Sequence, residues 1–179
     1  MADQLIFDKI KEKFSDEILD SYEFRGDKVV CLKKDNVLEI MEFLNTDSDL
    51  HFDFLADLTA IDYLEYSEPQ PERFAVVYQL YSHEFKYELT IKVYIPEEDL
   101  HLDSVYSIWK TADWLERETY EMFGIHFRHH PNLKKLLLPE DFKGFPERKD
   151  FPVKGIGYRE NFPIYSRPFD NNYLRKEED

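Results

Sequence analysis

Cysteine and glycine are scarce in this chain of 179 residues, which has one cysteine and five glycines. The single cysteine, Cys31, excludes a disulfide within the chain and cannot supply the four thiolates that an Fe–S cluster normally takes. It lies in the apolar run VVCL, which favours a buried packing residue over a nucleophile. The glycines form neither a P-loop nor a dinucleotide fingerprint, and no G-x-S-x-G sequence occurs.

Long apolar runs are also missing. The longest apolar stretches, such as FAVVYQLY, are far too short to span a bilayer. The first residues, MADQLIFDKIKEKF, carry early acids and no long apolar run, which argues against a secretory signal. We therefore expect a soluble protein, or one that is peripheral to a membrane assembly.

Charge is abundant and unevenly spread. Residues 1–100 hold 24 Asp and Glu against 10 Lys and Arg, whereas residues 126–176 hold 6 acidic and 11 basic residues. The acidic body argues against nucleic-acid binding, because it would repel phosphate. The apolar fraction of 42% and the aromatic fraction of 16% are nevertheless enough for a buried core.

Hydrophobic periodicity predicts an α+β domain over residues 1–125. The pattern predicts helices over residues 3–14, 35–46 and 112–123, the second with Asn36 and Glu39 as a capping pair and the third ending at Gly124. It predicts one hairpin turning at residues 25–27 and a second joining RFAVVYQLY to KYELTIKVYI, with FDFLADLTAIDYLEY extended or mixed. We expect two layers, with a largely antiparallel or mixed sheet and helices on one face.

Residues 126–179 have a different composition and are expected to form an extended C-terminal arm. Residues 131–168 hold six of the nine prolines, which disfavours regular structure. Aromatic residues recur throughout this segment, namely Phe142, Phe145, Phe151, Tyr158, Phe162, Tyr165 and Phe169. Because so many exposed rings would leave a large apolar area in water, we expect the arm to lie on a surface of this domain or of a partner. Only the final RKEED is typical of a free end.

The segment WLERETYEMFG concentrates charge on the last predicted helix. Glu118 and Glu121 lie on one side of that helix, and three histidines follow it, His126, His129 and His130. Carboxylates and imidazoles are plausible ligands for iron or zinc, but Arg128 would oppose a cation and no second Glu-x-x-His copy exists. General acid/base catalysis by the two carboxylates would need a substrate-orienting element that the sequence does not contain.

Two other interpretations of the charged helix remain open. Arg117 and Glu121 are spaced i, i+4 and could form a simple pair on a solvated face. However, Trp114, Tyr120 and Phe123 fall between the charges, so the helix is apolar on more than one side. Such a helix is either buried all round or part of an interface, where its charged groups need partners.

The stretch DWLERETYEMFGIHFRHHPNLKKLLLPEDFKGFPERKDFP resembles the C subunit of NADH-quinone oxidoreductase, also called the thirty-kilodalton subunit family of respiratory complex I. The family pattern is E-R-E, an acid, two apolar residues and Gly-Ile, followed by His-Pro, a basic-rich apolar run and G-x-P-x-R-K-D-[FY]-P. The matching residues are Glu116, Arg117, Glu118, Glu121, Met122, Phe123, Gly124, His130, Pro131, Lys135, Leu137, Gly144, Pro146, Arg148, Lys149, Asp150 and Pro152. His129, Phe145 and Glu147 depart from it, since the family commonly has Gly, His and Leu there. With FLADLTAIDY and SVYSIWKTADW also similar, the resemblance covers about residues 50–155.

The resemblance implies a cofactor-free structural and assembly subunit of the peripheral arm, without catalytic residues of its own, in a complex that transfers electrons from NADH to quinone. FMN and Fe–S clusters are then expected in partner subunits. The implied partners are the homologue of the D subunit (the forty-nine-kilodalton subunit) and subunits B and I, on the cytoplasmic side of the bacterial inner membrane. Membrane association is expected through the complex alone. An equivalent subunit of a membrane-bound hydrogenase or of a ferredoxin- or F420-linked complex stays an alternative, as does a stand-alone metal-dependent enzyme.

We expect the charged helix and the arm to meet other subunits and to perform no chemistry. The residues expected at that contact are Trp114, Glu116, Arg117, Glu118, Glu121, His130, Arg148, Lys149 and Asp150. In this hypothesis their charges hold the helix and the arm in register.

Overall fold

The structure is a computed structural model that describes residues 2–153 and 155. The helices are α1 (Ala2–Phe14), α2 (Val37–Thr46) and α3 (Ala112–Phe123), with a short 3-10 turn at Ser15–Glu17. The strands are β1 (Ile18–Phe24), β2 (Asp27–Leu32), β3 (Phe54–Asp62), β4 (Phe74–Ser82), β5 (Tyr87–Ile95), β6 (His101–Asp103) and β7 (His126–Arg128). The three predicted helices and both hairpins are therefore confirmed.

Strands β1 to β5 form a mixed sheet in the order β1-β2-β5-β4-β3, as the α+β prediction allows. The two hairpins are antiparallel, while β2 and β5 pair in parallel in the middle of the sheet. A parallel pair needs a long connection, and here α2, β3 and β4 provide it.

The main core lies between one face of the sheet and the helices. A row of paired residues crosses four strands, Val30, Ile91, Tyr78 and Leu58, and all four are at most 3% exposed. Side chains from α1, α2 and α3 pack on this face, including Ile10, Ile40 and Ala112. Alternate strand residues point the other way, and there Val29, Cys31, Ala75 and Tyr94 form a second, smaller cluster. Cys31 is buried, as predicted.

The predicted capping of α2 is wrong. Asn36 has φ of 58° and caps nothing with its side chain, whose Nδ2 donates to Glu17 Oε1 at 2.9 Å. The side chain is thus used to join two turns that lie 19 residues apart.

The first described residues of the arm continue the domain. Strand β7 pairs in parallel with β6, although residues 126–128 were expected to belong to the arm. Residues 129–153 then form turns and bends without a helix or strand, and Phe142, Phe145 and Phe151 are half-buried. The remaining aromatic residues named in the sequence analysis, Tyr158, Phe162, Tyr165 and Phe169, lie outside the described residues, as does the RKEED end.

Candidate functional site

Helix α3 carries the charged segment and ends where the sequence predicts. Gly124 follows it with φ of 79°, and its backbone N–H donates to the Tyr120 carbonyl at 2.8 Å. Burial along α3 does not follow the apolar residues alone. Ala112 and Thr119 are buried, but Leu115 and Met122 are half-buried, whereas the carboxylates of Glu116 and Glu121 are buried more deeply.

Glu116 ties α3 to the turn that follows β6. The Ser104 hydroxyl donates to Glu116 Oε2 at 2.6 Å, and the Val105 backbone N–H donates to Oε1 at 2.8 Å. Burial raises the pKa of Glu116 to about 7, opposed by these two hydrogen bonds and reinforced by the nearby charge of Asp113. The side chain is therefore a structural acceptor whose charged form is costly.

His130 lies against the start of the same helix. Its side chain is fully buried, and its Nε2 is 3.1 Å from the Asp113 carbonyl, 3.4 Å from Asp113 Oδ1 and 3.9 Å from Glu116 Oε2. Its Nδ1 accepts the backbone N–H of Asn132 at 3.1 Å. Because two carboxylates flank the ring, His130 couples the beginning of the arm to α3.

The far side of α3 binds the next part of the arm through main-chain contacts. Arg117 donates from Nε to the Lys134 carbonyl at 3.0 Å and from Nη2 to the Lys135 carbonyl at 3.2 Å. Glu121 accepts the backbone N–H groups of Leu136 and Leu137 at 2.6 and 2.7 Å. Two opposite charges on one helix thus satisfy the carbonyls and N–H groups of an irregular segment, which has no ladder partner of its own.

Residues 145–148 pack over the C-terminus of α3. Arg148 Nε donates to the Phe123 carbonyl at 2.6 Å, and its guanidinium lies 4.5 Å from the Phe145 ring centroid. A Cβ placed on Gly124 would come within 2.6 Å of Phe145 Cζ. Glycine is therefore required here twice, by its backbone conformation and by the close approach of the arm.

A buried ion pair holds the arm at its described end. Arg73 donates to both carboxylate oxygens of Asp62 at 3.1 and 2.9 Å, and its Nη2 is 3.0 Å from Asp150 Oδ2. The Lys149 backbone N–H donates to Asp62 Oδ2 at 2.9 Å. Sequence reasoning missed Asp62 and Arg73, although Arg73 is the one Lys or Arg between residues 35 and 85. The signal available in the sequence was this single basic residue within an acidic stretch, which indicates an ion pair.

Two of the predicted contact residues on α3 lie at the surface, and one of them, Glu118, lines the same groove as Leu137 of the arm. Trp114 is 61% exposed with the Arg117 guanidinium 5.6 Å from its ring centroid, Glu118 is exposed, and Leu137 of the arm is 63% exposed. We call Trp114, Glu118 and Leu137 the α3 patch. Glu116, Glu121, His130 and Arg148 instead bind groups of their own chain.

The carboxylates and histidines of the metal-site alternative do not converge. Glu118 is exposed, Glu121 is occupied by backbone N–H groups, and His126 and His129 are exposed. Within residues 2–153 and 155, no group of three His, Cys, Asp or Glu side chains could hold a metal ion. In the same part of the chain, no helix has both the length and the apolar character needed to cross a membrane.

Comparison with known proteins gives consistent matches over most of the chain. The model of the family described as respiratory-chain NADH dehydrogenase, 30 Kd subunit, matches residues 30–156. The C subunit of NADH-quinone oxidoreductase from Citrifermentans bemidjiense is 45% identical over 147 residues, which is 82% of this chain and 88% of the relative. The same subunit from Geobacter metallireducens is 44% identical over 83% of this chain and 89% of the relative.

Two solved structures share the fold. A trypsin-resistant fragment of Nqo5 aligns with a TM-score of 0.66 and 35% identity, covering 74% of this chain and all of the fragment. A chain of the membrane-bound sulfane sulfur reductase, an archaeal respiratory membrane complex, aligns with a TM-score of 0.70 and 21% identity over 98% of this chain and 95% of its own length. At that identity the second match supports the fold alone. On the family match and the two bacterial relatives, the chain belongs to the family of the respiratory-chain NADH dehydrogenase 30 Kd subunit.

Proposed function

We propose that the chain is a structural and assembly subunit of the peripheral arm of NADH-quinone oxidoreductase, and that it supports electron transfer from NADH to quinone without chemistry of its own. The observation that carries the proposal is that charged side chains of α3 are hydrogen-bonded within this chain. Glu116, Arg117 and Glu121 are each bound to backbone or hydroxyl groups of this chain. Carboxylates that are occupied in this way hold segments of the chain together, which favours a structural role for Glu116 and Glu121 over acid/base chemistry.

The partner contact is proposed on the α3 patch and on the arm. An exposed tryptophan beside an arginine is typical of an interface anchor, because both residue types are enriched where binding energy is concentrated. Leu137 adds apolar area, and its segment is held rigidly by Glu121. A rigid apolar surface loses little conformational freedom when another subunit covers it.

The remaining contact residues are proposed to position this surface. Glu116 and His130 fix the start of α3, while Arg148, Lys149 and Asp150 fasten the arm to the body. Residues 1–125 are proposed as the folded body and residues 126–179 as the arm that reaches partner subunits. In this division the arm would begin with β7, whose pairing with β6 supports an anchor in the body.

The relatives are named as subunits of NADH-quinone oxidoreductase, so the chain is expected in a hetero-oligomeric complex. We propose the homologue of the D subunit (the forty-nine-kilodalton subunit) as the main neighbour, with subunits B and I nearby. In this arrangement FMN and the Fe–S clusters belong to partner subunits. The chain would be peripheral, on the cytoplasmic side of the bacterial inner membrane, and held there by the complex.

The proposal is tested by the variant Trp114→Asp in the intact complex. Trp114 is 61% exposed, so the isolated variant is expected to fold with an unchanged melting temperature. We expect at least a tenfold loss of the variant from complex purified under gentle detergent extraction, because a charge replaces an anchor. The matched control is Phe24→Asp at the end of β1, where the ring is 59% exposed, and it should co-purify normally.

A different outcome would contradict the structural role. If Trp114→Asp assembled in normal amount, and the complex then lost NADH:quinone turnover while its clusters were still reduced by NADH, the chain would act in the reaction itself.

A further inference from the structure

The face of the sheet opposite the helices carries a groove that the proposed function does not use. Tyr22, Tyr63, Tyr66 and Tyr94 line it together with residues 68–71, and its volume is about 430 Å³. This volume is within the usual range of protein binding pockets. We call these residues the tyrosine groove.

The floor of the tyrosine groove is held in place by its own hydrogen bonds. Lys92 Nζ donates to the Tyr22 hydroxyl at 3.0 Å, and the Tyr94 hydroxyl donates to Gln70 Oε1 at 3.0 Å. The rings of Tyr63 and Tyr94 stack with centroids 6.0 Å apart. The aromatic surfaces are therefore fixed before anything binds, which lowers the entropic cost of binding.

The rim of the tyrosine groove is apolar and acidic. Tyr66 is 58% exposed and Leu19 is 42% exposed, so both offer apolar area to an occupant. Asp20 and Glu68 also line the groove and are exposed. Among the described lining residues Lys92 is the one cation, and its ammonium is committed to Tyr22. An occupant with arginine and proline side chains fits this chemistry.

We propose that, before assembly, the tyrosine groove binds residues 156–169 of the same chain. Their sequence, IGYRENFPIYSRPF, contains Arg159 and Arg167 with one acid, and also Pro163 and Pro168. Proline rings pack well in aromatic-lined grooves because their backbone is already extended, and guanidinium groups stack on tyrosine while pairing with carboxylates.

The anchoring of the arm places this segment within reach. Arg73 binds Asp150 through its guanidinium and accepts the Tyr63 backbone N–H at its carbonyl, at 2.8 Å. Arg73 therefore contacts both Asp150 of the arm and Tyr63, which lines the tyrosine groove. Nine further residues lead from Asp150 to Arg159, which can span roughly 30 Å when extended. A tether of this length gives an effective concentration on the order of millimolar, so weak contacts are sufficient.

The inference goes beyond the assembly role, because it concerns one chain and requires no partner. Binding in the tyrosine groove would shield the aromatic residues of the segment from water until assembly. A subunit that takes up the arm in the complex would then compete with the tyrosine groove for the same residues.

Photo-crosslinking in the purified full chain tests the proposal. Tyr66 is replaced by p-benzoylphenylalanine, and the crosslinked peptides are identified by mass spectrometry. The matched control carries the same amino acid at Trp114, which is 61% exposed on the α3 patch. We expect crosslinks from position 66 to residues 156–169 with at least tenfold higher yield than from position 114. Equal yields from the two positions would overturn the proposal.

Two further measurements identify the occupant. An equimolar mixture of ¹⁵N-labelled chain and unlabelled photo-reactive chain should give unlabelled crosslinked peptides alone, and labelled ones would instead mean that a second copy occupies the tyrosine groove. Arg159→Glu combined with Arg167→Glu should lower the crosslinking yield at least tenfold. Adding Asp20→Lys and Glu68→Lys to that variant should restore it, and an unchanged yield in both variants would refute the charge pairing.

Discussion

The carboxyl group of Glu116 is completely buried and accepts two hydrogen bonds, and among the described residues no cation is hydrogen-bonded to it. Its pKa of about 7, raised from 4.5 mainly by burial, means that folding favours the protonated form. The stabilisation is fully present below pH 4.5 and is lost as the pH rises through 7. A shift of this size corresponds to about 3 kcal/mol. Near neutral pH, ionisation of Glu116 therefore lowers the stability of the folded state.

We predict that Glu116→Gln removes this pH dependence. The amide oxygen can still accept the Val105 N–H, and the amide NH2 can donate to the Ser104 hydroxyl oxygen. Relative to wild type, the free energy of unfolding of the variant should improve by up to about 3 kcal/mol between pH 5 and pH 8. Urea unfolding at a series of pH values measures the difference.

Two further variants separate charge from contact at this site. Glu118→Gln lies on the same helix but is exposed, so its stability should follow wild type at every pH. Glu116→Ala leaves the Ser104 hydroxyl and the Val105 N–H without their acceptor and should lose about 2–4 kcal/mol even at pH 5. A wild-type pH profile in Glu116→Gln would show that Glu116 is ionised without cost.

At the scale of elements, the C-terminus of α3 and the arm depend on one glycine. Gly124→Ala should cost about 1–2 kcal/mol for the left-handed backbone and about 1–3 kcal/mol more for overpacking against Phe145. Phe145 cannot move away freely, because the Arg148 guanidinium covers its ring and is bound to the Phe123 carbonyl. Thermal unfolding should show a melting temperature lowered by several degrees.

Gly26→Ala is the matched control for this prediction. Gly26 also has a positive φ, of 96°, but a Cβ there would meet nothing within 4 Å. It should show the backbone cost alone, so its melting temperature should lie between those of wild type and Gly124→Ala. If the two variants were equally destabilised, the arm would not pack against the end of α3.

The same elements show how far sequence reasoning extends. The local periodicity of apolar residues predicted α1, α3 and the β4–β5 hairpin, because each of these elements presents one apolar face within a short stretch of sequence. It left open whether Glu116 and Glu121 are buried, since a carboxylate on a helix is ordinarily assigned to solvent. Their partners, at residues 104–105 and 136–138, are 11 to 17 residues away and come into reach only after folding. The partner of the Asn36 side chain, Glu17, is likewise distant in sequence, at 19 residues, so the local pattern wrongly predicted a cap.

On the scale of the whole molecule, the arm is joined to the body by a contact between residues 87 positions apart, Asp62 and Lys149. Burial alone would raise the pKa of Asp62, but the Arg73 guanidinium and the N–H groups of Lys149 and Leu64 outweigh it and lower the pKa below 3.8. This stabilisation is present above pH 3.8 and is lost as the pH falls through the lowered value. The pH dependence of stability that Asp62 contributes is therefore opposite in sign to that of Glu116.

We therefore predict a maximum of stability on the acid side of neutrality. From pH 8 down to about 5, Glu116 becomes protonated and the net charge of −15 moves toward zero near the pI of 4.8, so both changes favour the compact state. Below pH 3.8 the stabilisation from Asp62 is lost as the pH falls through its lowered pKa, so stability falls.

Asp62→Asn should lose about 3–5 kcal/mol at pH 5, because Arg73 is left without its buried partner, and the Lys149 amide should lose its protection from hydrogen exchange. Asp57→Asn, at an exposed position of the same strand, should keep both. Urea unfolding at low protein concentration and amide exchange measure the two effects, and a Lys149 amide that stayed protected in Asp62→Asn would mean that other contacts hold the arm.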